Sequence, residues 1–488
     1  MRLLSAIKNN LPLQLLLISL TSCGGSKEPN VLLITMDTTR ADYLSTYGSE
    51  VTQTPHLDGL ADRGARFDMA LSASAVTPVS HATIMTGLFP YEHGLRVLSA
   101  AGGYKLPEDV PTLATTLKAR GYKTIAVHSA FPVSGHFGFD HGFDVFESFD
   151  IEIQRTNTVQ DRWDVSKGQR RSDETTAIAL SELSDLDGPF FMWIHYWDPH
   201  DPIILPPAEY LPEGELSGRN VEIYAGEVEY LDSQIGALVE GMRERDVFDN
   251  TMVCVTSDHG EGLNDGLALH GWFSHRILYQ EQIHVPLLVS GPGIEPGRSS
   301  RAMVRTADIP ATLYDYLNVP PPGRSSGASL RPLIEGTPDA PRIAYADQIN
   351  GFDYNARMVE RRPQAKFLFV IAKEGWKLIY RPVDPKTSEL YDLSTDPREQ
   401  KNLFRSNQEK SKELMRELAS RQPWVLEPFQ EGGESGPSDE AQAMLEALGY
   451  TGGGGQSESV WTWISISTGE LNEDPDAFPA NDCLPVLR

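Results

Sequence analysis

Val31-Leu32-Leu33-Ile34-Thr35-Met36-Asp37 is the stretch from which the fold can be read. A nearly continuous apolar run that ends in a carboxylate reads as a strand buried on both faces, which is the habit of parallel sheets. Similar runs recur at Pro189-Phe190-Phe191-Met192-Trp193-Ile194-His195, at Thr251-Met252-Val253-Cys254-Val255-Thr256 and at Val285-Pro286-Leu287-Leu288-Val289. Helical patterns lie between them, for example over residues 112–120 and 228–244. This alternation predicts an α/β fold, a doubly wound sheet with helices on both faces. In such sheets ligands bind beyond the carboxyl ends of the strands. Asp37 and the pair Asp258-His259 stand at or just after strand ends, so they are expected to converge there.

The chain has 488 residues, 40% of them hydrophobic, enough for one large domain and a smaller companion. Its formal net charge of -26 argues against nucleic-acid binding, which needs a basic surface. It does not exclude an anionic substrate, because a metal with local His and Arg groups reverses the field inside one cleft.

Arg2 and Lys8 precede an apolar stretch over residues 11–20, too short to span a bilayer. Leu20-Thr21-Ser22-Cys23 then reads as a bacterial lipobox, with residues 1–22 a signal peptide and Cys23 the lipidated N-terminus. Residues 23–29 become a tether, and the expected location is the cell envelope, at a membrane surface. Cys254 and Cys483 are too few for a disulfide framework.

Composition shifts after about residue 345. Trp376-Lys377-Leu378-Ile379-Tyr380 and Glu389-Leu390-Tyr391-Asp392-Leu393 read as paired strands, and residues 409–421 as a helix. The expected division is a catalytic domain over 30–345, a small C-terminal α+β subdomain over 346–430, and a mostly disordered tail over 431–488, opened by the glycines at 452–455.

The chemistry gathers around Thr77-Pro78-Val79-Ser80-His81-Ala82-Thr83-Ile84-Met85-Thr86-Gly87. This segment resembles the active-site signature of the sulfatase family within the alkaline phosphatase superfamily: Cys or Ser, any residue, Pro-Ser-Arg, four residues, Thr-Gly. Ser80 and Thr86-Gly87 match. Val79 replaces the proline and His81 the arginine. Thr77 falls on the position that sulfatases fill with the residue they oxidise to formylglycine. Thr54-Pro55-His56-Leu57-Asp58 and Gly87-Leu88-Phe89-Pro90-Tyr91-Glu92-His93-Gly94 are further landmarks of that family.

The resemblance implies an alkaline-phosphatase-like fold and a metal-dependent hydrolase of anionic esters. It assigns Asp37, Thr77, Asp258 and His259 to one divalent cation (Mn, Zn, Mg or Ca). Taken alone, Asp37 reads as a turn or capping residue and Asp258-His259 as a hydrogen-bonded loop pair. Many sulfatases have Asp-Asn where this chain has Asp-His, a pair that resembles phosphonate monoester hydrolases and phosphoethanolamine transferases. Thr38 stands where a second aspartate is common, and His259 adds a nitrogen, so the donor set moves away from Ca²⁺. By the same resemblance, Thr77, His81, His200 and His275 are the catalytic candidates. His270 is the weaker of the two histidines after the Asp-His pair. The segment Gly121-Tyr122-Lys123-Thr124-Ile125-Ala126-Val127-His128 lacks the family's Lys-x-His spacing.

Two enzymatic readings follow. One is a sulfatase-like hydrolase using an unmodified Thr77. The other is a phosphodiesterase, phosphonate hydrolase or phosphoethanolamine-type transferase. A non-catalytic surface protein on the same fold ranks last, because the ligand residues are all present.

Overall fold

The computed structural model describes residues 28–98, 103–148, 169–184, 186–200, 205–213, 221–263, 265, 275–351, 362–421, 423 and most of 461–487. The lipobox, Cys23 and His270 lie outside the described residues. Among the described residues no helix is long and apolar enough to cross a membrane.

The main sheet is built from β1 (Asn30–Met36), β2 (Gly64–Leu71), β3 (Lys123–Val127), β4 (Val145–Glu147), β5 (Phe190–Tyr196), β6 (Thr251–Ser257), β7 (His284–Val285), β8 (Leu287–Ser290) and β9 (Arg298–Arg305). Its order is β4-β3-β5-β1-β6-β8-β2-β7, with β9 paired parallel to β2. The stretch from β4 to β6 is parallel, and β8 enters antiparallel between β6 and β2. Every residue of β1 is buried. Val31 and Leu33 join one apolar cluster, with Val79 and Met85 of the helix Thr77–Thr86; Leu32, Ile34 and Met36 join another, with Leu231 and Ile235 of the helix Val221–Glu244. Alternate side chains of a strand point to opposite faces, so this split is what a sheet covered by helices on both sides requires.

The run around Pro286 divides into β7 and β8, because proline donates no ladder hydrogen bond. A second sheet follows, β10 (Ile343–Gln348), β11 (Leu368–Lys373), β12 (Trp376–Tyr380) and β13 (Glu389–Asp392), antiparallel in that order. The helix Gln408–Ala419 packs its Leu414 and Leu418 against it.

The tail departs from the expected disorder. β14 (Trp461–Ser465), β15 (Leu471–Asn472) and β16 (Cys483–Leu487) form a third sheet. Ile466 and Leu484 enter the subdomain core, and the Tyr380 hydroxyl donates to Pro485 O at 2.7 Å. The glycines at 452–455 drew attention to a flexible start, whereas the apolar residues further on supply the surface that docks.

Candidate active site

The strand register brings the ligands together. Met36 pairs with Ser257 on one side and with Tyr196 on the other, so the residues that follow β1 and β6 emerge side by side. Asp37 N donates to Tyr196 O at 2.8 Å, which continues the β1–β5 ladder one step past the strand. Thr38 then turns at φ 49, a left-handed conformation rare for a β-branched residue and typical of strain held at functional sites. The turn aims Thr38 N at Asp258 Oδ1, 3.1 Å away.

Asp258 Oδ1 also accepts from His259 N at 2.7 Å. Its other oxygen, Oδ2, has no hydrogen-bond partner although the residue is fully buried. His259 Nδ1 lies 2.9 Å from Gly260 O, so that nitrogen carries the proton and donates to the carbonyl. In the neutral ring Nε2 is then a lone pair, 3.3 Å from Asp258 Oδ2 and 3.4 Å from Thr77 Oγ1. An unprotonated imidazole nitrogen facing an orphaned carboxylate oxygen in a dry interior is unfavourable unless a cation joins them. Ligand atoms of Asp37, Asp258 and His259 all lie within 4.8 Å of one another. The donor set therefore fits a divalent ion.

Asp37 is oriented from β5. His195 Nδ1 accepts from Ser129 N at 3.4 Å, which leaves the proton on Nε2, and Nε2 donates to Asp37 Oδ2 at 3.0 Å. Burial pushes the His195 imidazole well below its ordinary range, with His81 and His128 as further causes, so it is a neutral donor. This role was not read from the sequence, where His195 was only the end of an apolar run. The usable signal is its place opposite Thr35, two residues before Asp37.

Thr77 opens the helix Thr77–Thr86, followed by Pro78 in the first turn. No side chain caps this end, so the orphan N–H groups and positive end of the helix lie beside the Thr77 oxygen. Gly87 closes the helix at φ 72, donating to Thr83 O at 2.9 Å.

His81 sits one turn on and is engaged at both nitrogens. Nδ1 donates to Thr77 O at 2.8 Å, and Nε2 accepts from Thr35 Oγ1 at 3.1 Å. Thr35 Oγ1 in turn accepts from Trp193 Nε1 at 3.0 Å. Burial lowers the His81 pKa despite Asp258 nearby. In place of a substrate-gripping arginine, the structure thus has a neutral imidazole that braces the Thr77 backbone. His200 stacks on Trp197 with ring centres 3.7 Å apart. His275 stands 5.3 Å from His200 and 4.7 Å from His259, centre to centre, with Nδ1 3.6 Å from Glu261 Oε2. His200, His275 and His259 are thus in successive ring contact, and His259 is the one beside Thr77. His128 lies apart from these three, donating from Nδ1 to Ala130 O at 3.0 Å.

Comparison with known proteins bears on the fold and the family. The sulfatase family profile matches residues 29–319, and that of the N-sulphoglucosamine sulphohydrolase C-terminal region matches 268–423. The chain is 25% identical to an N-acetylglucosamine-6-O-sulfatase of Bacteroides thetaiotaomicron, over 91% of this chain and 95% of that one. It is 25% identical to a choline-sulfatase of Rhizobium meliloti, over 77% and 82%. Among solved structures, a phosphonate monoester hydrolase of Agrobacterium radiobacter superposes with a TM-score of 0.63 at 22% identity, covering 84% of this chain and 99% of that one. A structure holding its substrate D-glucosamine-2-N,6-O-disulfate gives 0.63 at 23%, covering 83% and 100%. With a family match over more than half its length, the chain belongs to the sulfatase family of ester hydrolases.

Proposed function

We propose that this enzyme cleaves anionic sulfate or phosphate-type esters with the unmodified Thr77 hydroxyl as nucleophile, and that phosphate-type esters are the faster substrates. The observation that carries the reading is the Thr77 Oγ1 to His259 Nε2 distance of 3.4 Å, beside the orphaned Asp258 Oδ2. Asp37, Asp258 and His259 would hold one divalent ion, with Thr77 adjacent. Two carboxylates and an imidazole suit Mn²⁺, Zn²⁺ or Mg²⁺ better than Ca²⁺. Such an ion lowers the pKa of a neighbouring hydroxyl and shields substrate charge.

Thr77 Oγ1 attacks phosphorus or sulfur, and the bond to the leaving oxygen breaks. Water then attacks the same atom and returns Thr77 to its hydroxyl form. A threonine cannot expel the bound group by re-forming an aldehyde, as a formylglycine hydrate does, so the second step needs water. That step is ordinary for a phosphothreonine and unfamiliar for a sulfated one, which sets the order of substrates. His275 stands beside His259 and His200 beside His275, and both are assigned to the substrate oxyanion. The phosphonate monoester hydrolase neighbour supports this reading, and the sulfatase relatives support the sulfate alternative.

A panel of aryl sulfate, phosphate monoester, diester and phosphonate tests it. Thr77→Ala should lose most turnover, Thr77→Ser should keep much of it, and a trapped adduct should map to Thr77. Cleavage of sulfate esters alone, or wild-type turnover in Thr77→Ala, would overturn the assignment. We further propose attachment to a membrane surface through lipid on Cys23. Fractionation of wild type against Cys23→Ser decides this, and a fully soluble processed wild type refutes it.

A further inference from the structure

We infer that the C-terminal subdomain positions the catalytic loops by clamping residues 275–283, and that Lys377 is the positioning residue at the centre of the clamp. The segment leaves the site at His275 and passes Arg276 at φ 89. It forms one helical turn, Gln280–Ile283, before β7. Residues of the C-terminal subdomain hold it at three points. Asn350 Nδ2 donates to Arg276 O and to Ala365 O, each at 2.9 Å. The Tyr279 hydroxyl donates to Glu389 Oε2 at 2.8 Å and accepts from Arg381 Nη2 at 3.0 Å. Glu399 Oε2 accepts from Gln280 N at 2.7 Å, while Lys377 Nζ pairs with Glu399 Oε1 at 2.8 Å and donates to Gln280 Oε1 at 3.3 Å.

The clamped segment reaches the site by backbone contact. Gly260 N donates to Gln282 O at 2.8 Å, and a Cβ on Gly260 would stand 2.2 Å from Glu281 O. Gln282 Oε1 also accepts from Ile277 N at 2.8 Å, which closes the segment on itself just after His275. Gly260 O is the acceptor that fixes the His259 tautomer. A path thus runs from Lys377 through Gln280, Gln282 and Gly260 to the His259 ring, while the same segment carries His275.

The Lys377 and Glu399 side chains are both 0% exposed. A buried ion pair is a poor source of net stability, but losing one partner leaves an uncompensated charge and is strongly disruptive. Here the disruption falls on the turn that supports His259 and His275. The strained φ at Arg276 needs such an over-determined setting to persist. The metal-binding arm of the test rests on the reading of His259 as a ligand; the exchange arm does not.

The experiment uses the full chain, with Lys377→Met, the milder Gln280→Ala, and Arg342→Met as a control that breaks a buried pair to Asp308 and a second to the exposed Asp339. Backbone hydrogen exchange is measured by mass spectrometry, and Mn²⁺ binding to chelator-stripped protein by calorimetry. In Lys377→Met, exchange over 258–263 and 275–283 should rise and Mn²⁺ affinity should fall, each by about tenfold or more, the scale of a lost outer-sphere partner. Residues 30–36 and the control should stay unchanged. Should Lys377→Met fail to fold, Gln280→Ala must move both readouts in the same direction. Exchange over both segments within about twofold of wild type, in a folded but less stable Lys377→Met, overturns the inference. A wild type that binds no Mn²⁺ refutes the ligand reading and leaves exchange to decide the clamp.

Discussion

Replacing His195 by phenylalanine isolates what its imidazole does for Asp37. The ring stays, so the packing beside His81 and Trp197 is largely kept. Two hydrogen bonds go: the donation to Asp37 Oδ2 at 3.0 Å and the acceptance from Ser129 N at 3.4 Å. The second is long and contributes little. The first is a buried bond to a carboxylate, and its loss should cost the metal-free protein about 1.5–3 kcal/mol. Partners of this kind are worth about 10–100-fold in metal affinity, or roughly 1.4–2.7 kcal/mol. Calorimetric titration of stripped protein with Mn²⁺ should show that weakening in His195→Phe. Turnover should recover at saturating Mn²⁺, because Thr77 and the ligands themselves are untouched. A dissociation constant within about twofold of wild type, beside a lowered melting temperature, would reduce His195 to a packing residue and refute the reasoning.

Gly260→Ala should lose about tenfold or more in Mn²⁺ affinity, because its new methyl would overlap Glu281 O at 2.2 Å and must displace the His259 loop; unchanged affinity would show that the loop yields freely. Stability should fall with acid. His93 and His128 are held at about 3 by burial, with Arg96 and Arg170 as lesser causes. Unfolded, each takes a proton near 6.5, so the unfolded chain binds more protons below that value. Their contribution is full above about pH 6.5 and is lost at about 1.4 kcal/mol per pH unit per histidine towards pH 3. Denaturant titrations from pH 7 to 5 should show His128→Phe with the shallower dependence; parallel curves would contradict this. Deleting residues 461–488 should lower the melting temperature and raise binding of an apolar dye, since Ile466 and Leu484 each bury a side chain worth about 1.5–3 kcal/mol; an unchanged melt would mean that the third sheet does not dock in solution.

The sheet was legible wherever a strand is buried on both faces. The runs at β1, β5 and β6 need no partner to be recognised, because nearly all their side chains are apolar or small, His195 being the main exception. β9, Arg298–Arg305, carries charge on an exposed edge and gives no such signal. The helix Thr77–Thr86 is buried all round, so it has no amphipathic stripe, and only its family signature marked it. Asp37, Thr77, Asp258 and His259 were legible as a motif order. The roles of His195 and Thr35 depend on which strands neighbour β1, and the engagement of His81 at both nitrogens depends on Thr35. Those facts belong to register rather than to spacing. The strands over 461–487 were not legible because the glycine-rich composition at 452–455 was extended over the residues after it.

The β1–β6 register has a consequence for how the protein matures. Thr38 and Asp258 are separated by 220 positions in the chain. A slip of one residue would move one ligand about 3.3 Å and turn its side chain to the opposite face. Capture of the proposed cation would therefore wait for a pairing of high contact order, which is slow to form. The unfolded chain offers only scattered carboxylates, so free cation favours the finished sheet, by about 4.1 kcal/mol at a thousandfold excess over the dissociation constant. Loading of the proposed ion would in this sense be a late event of folding, and global unfolding would surrender it as the two strands part.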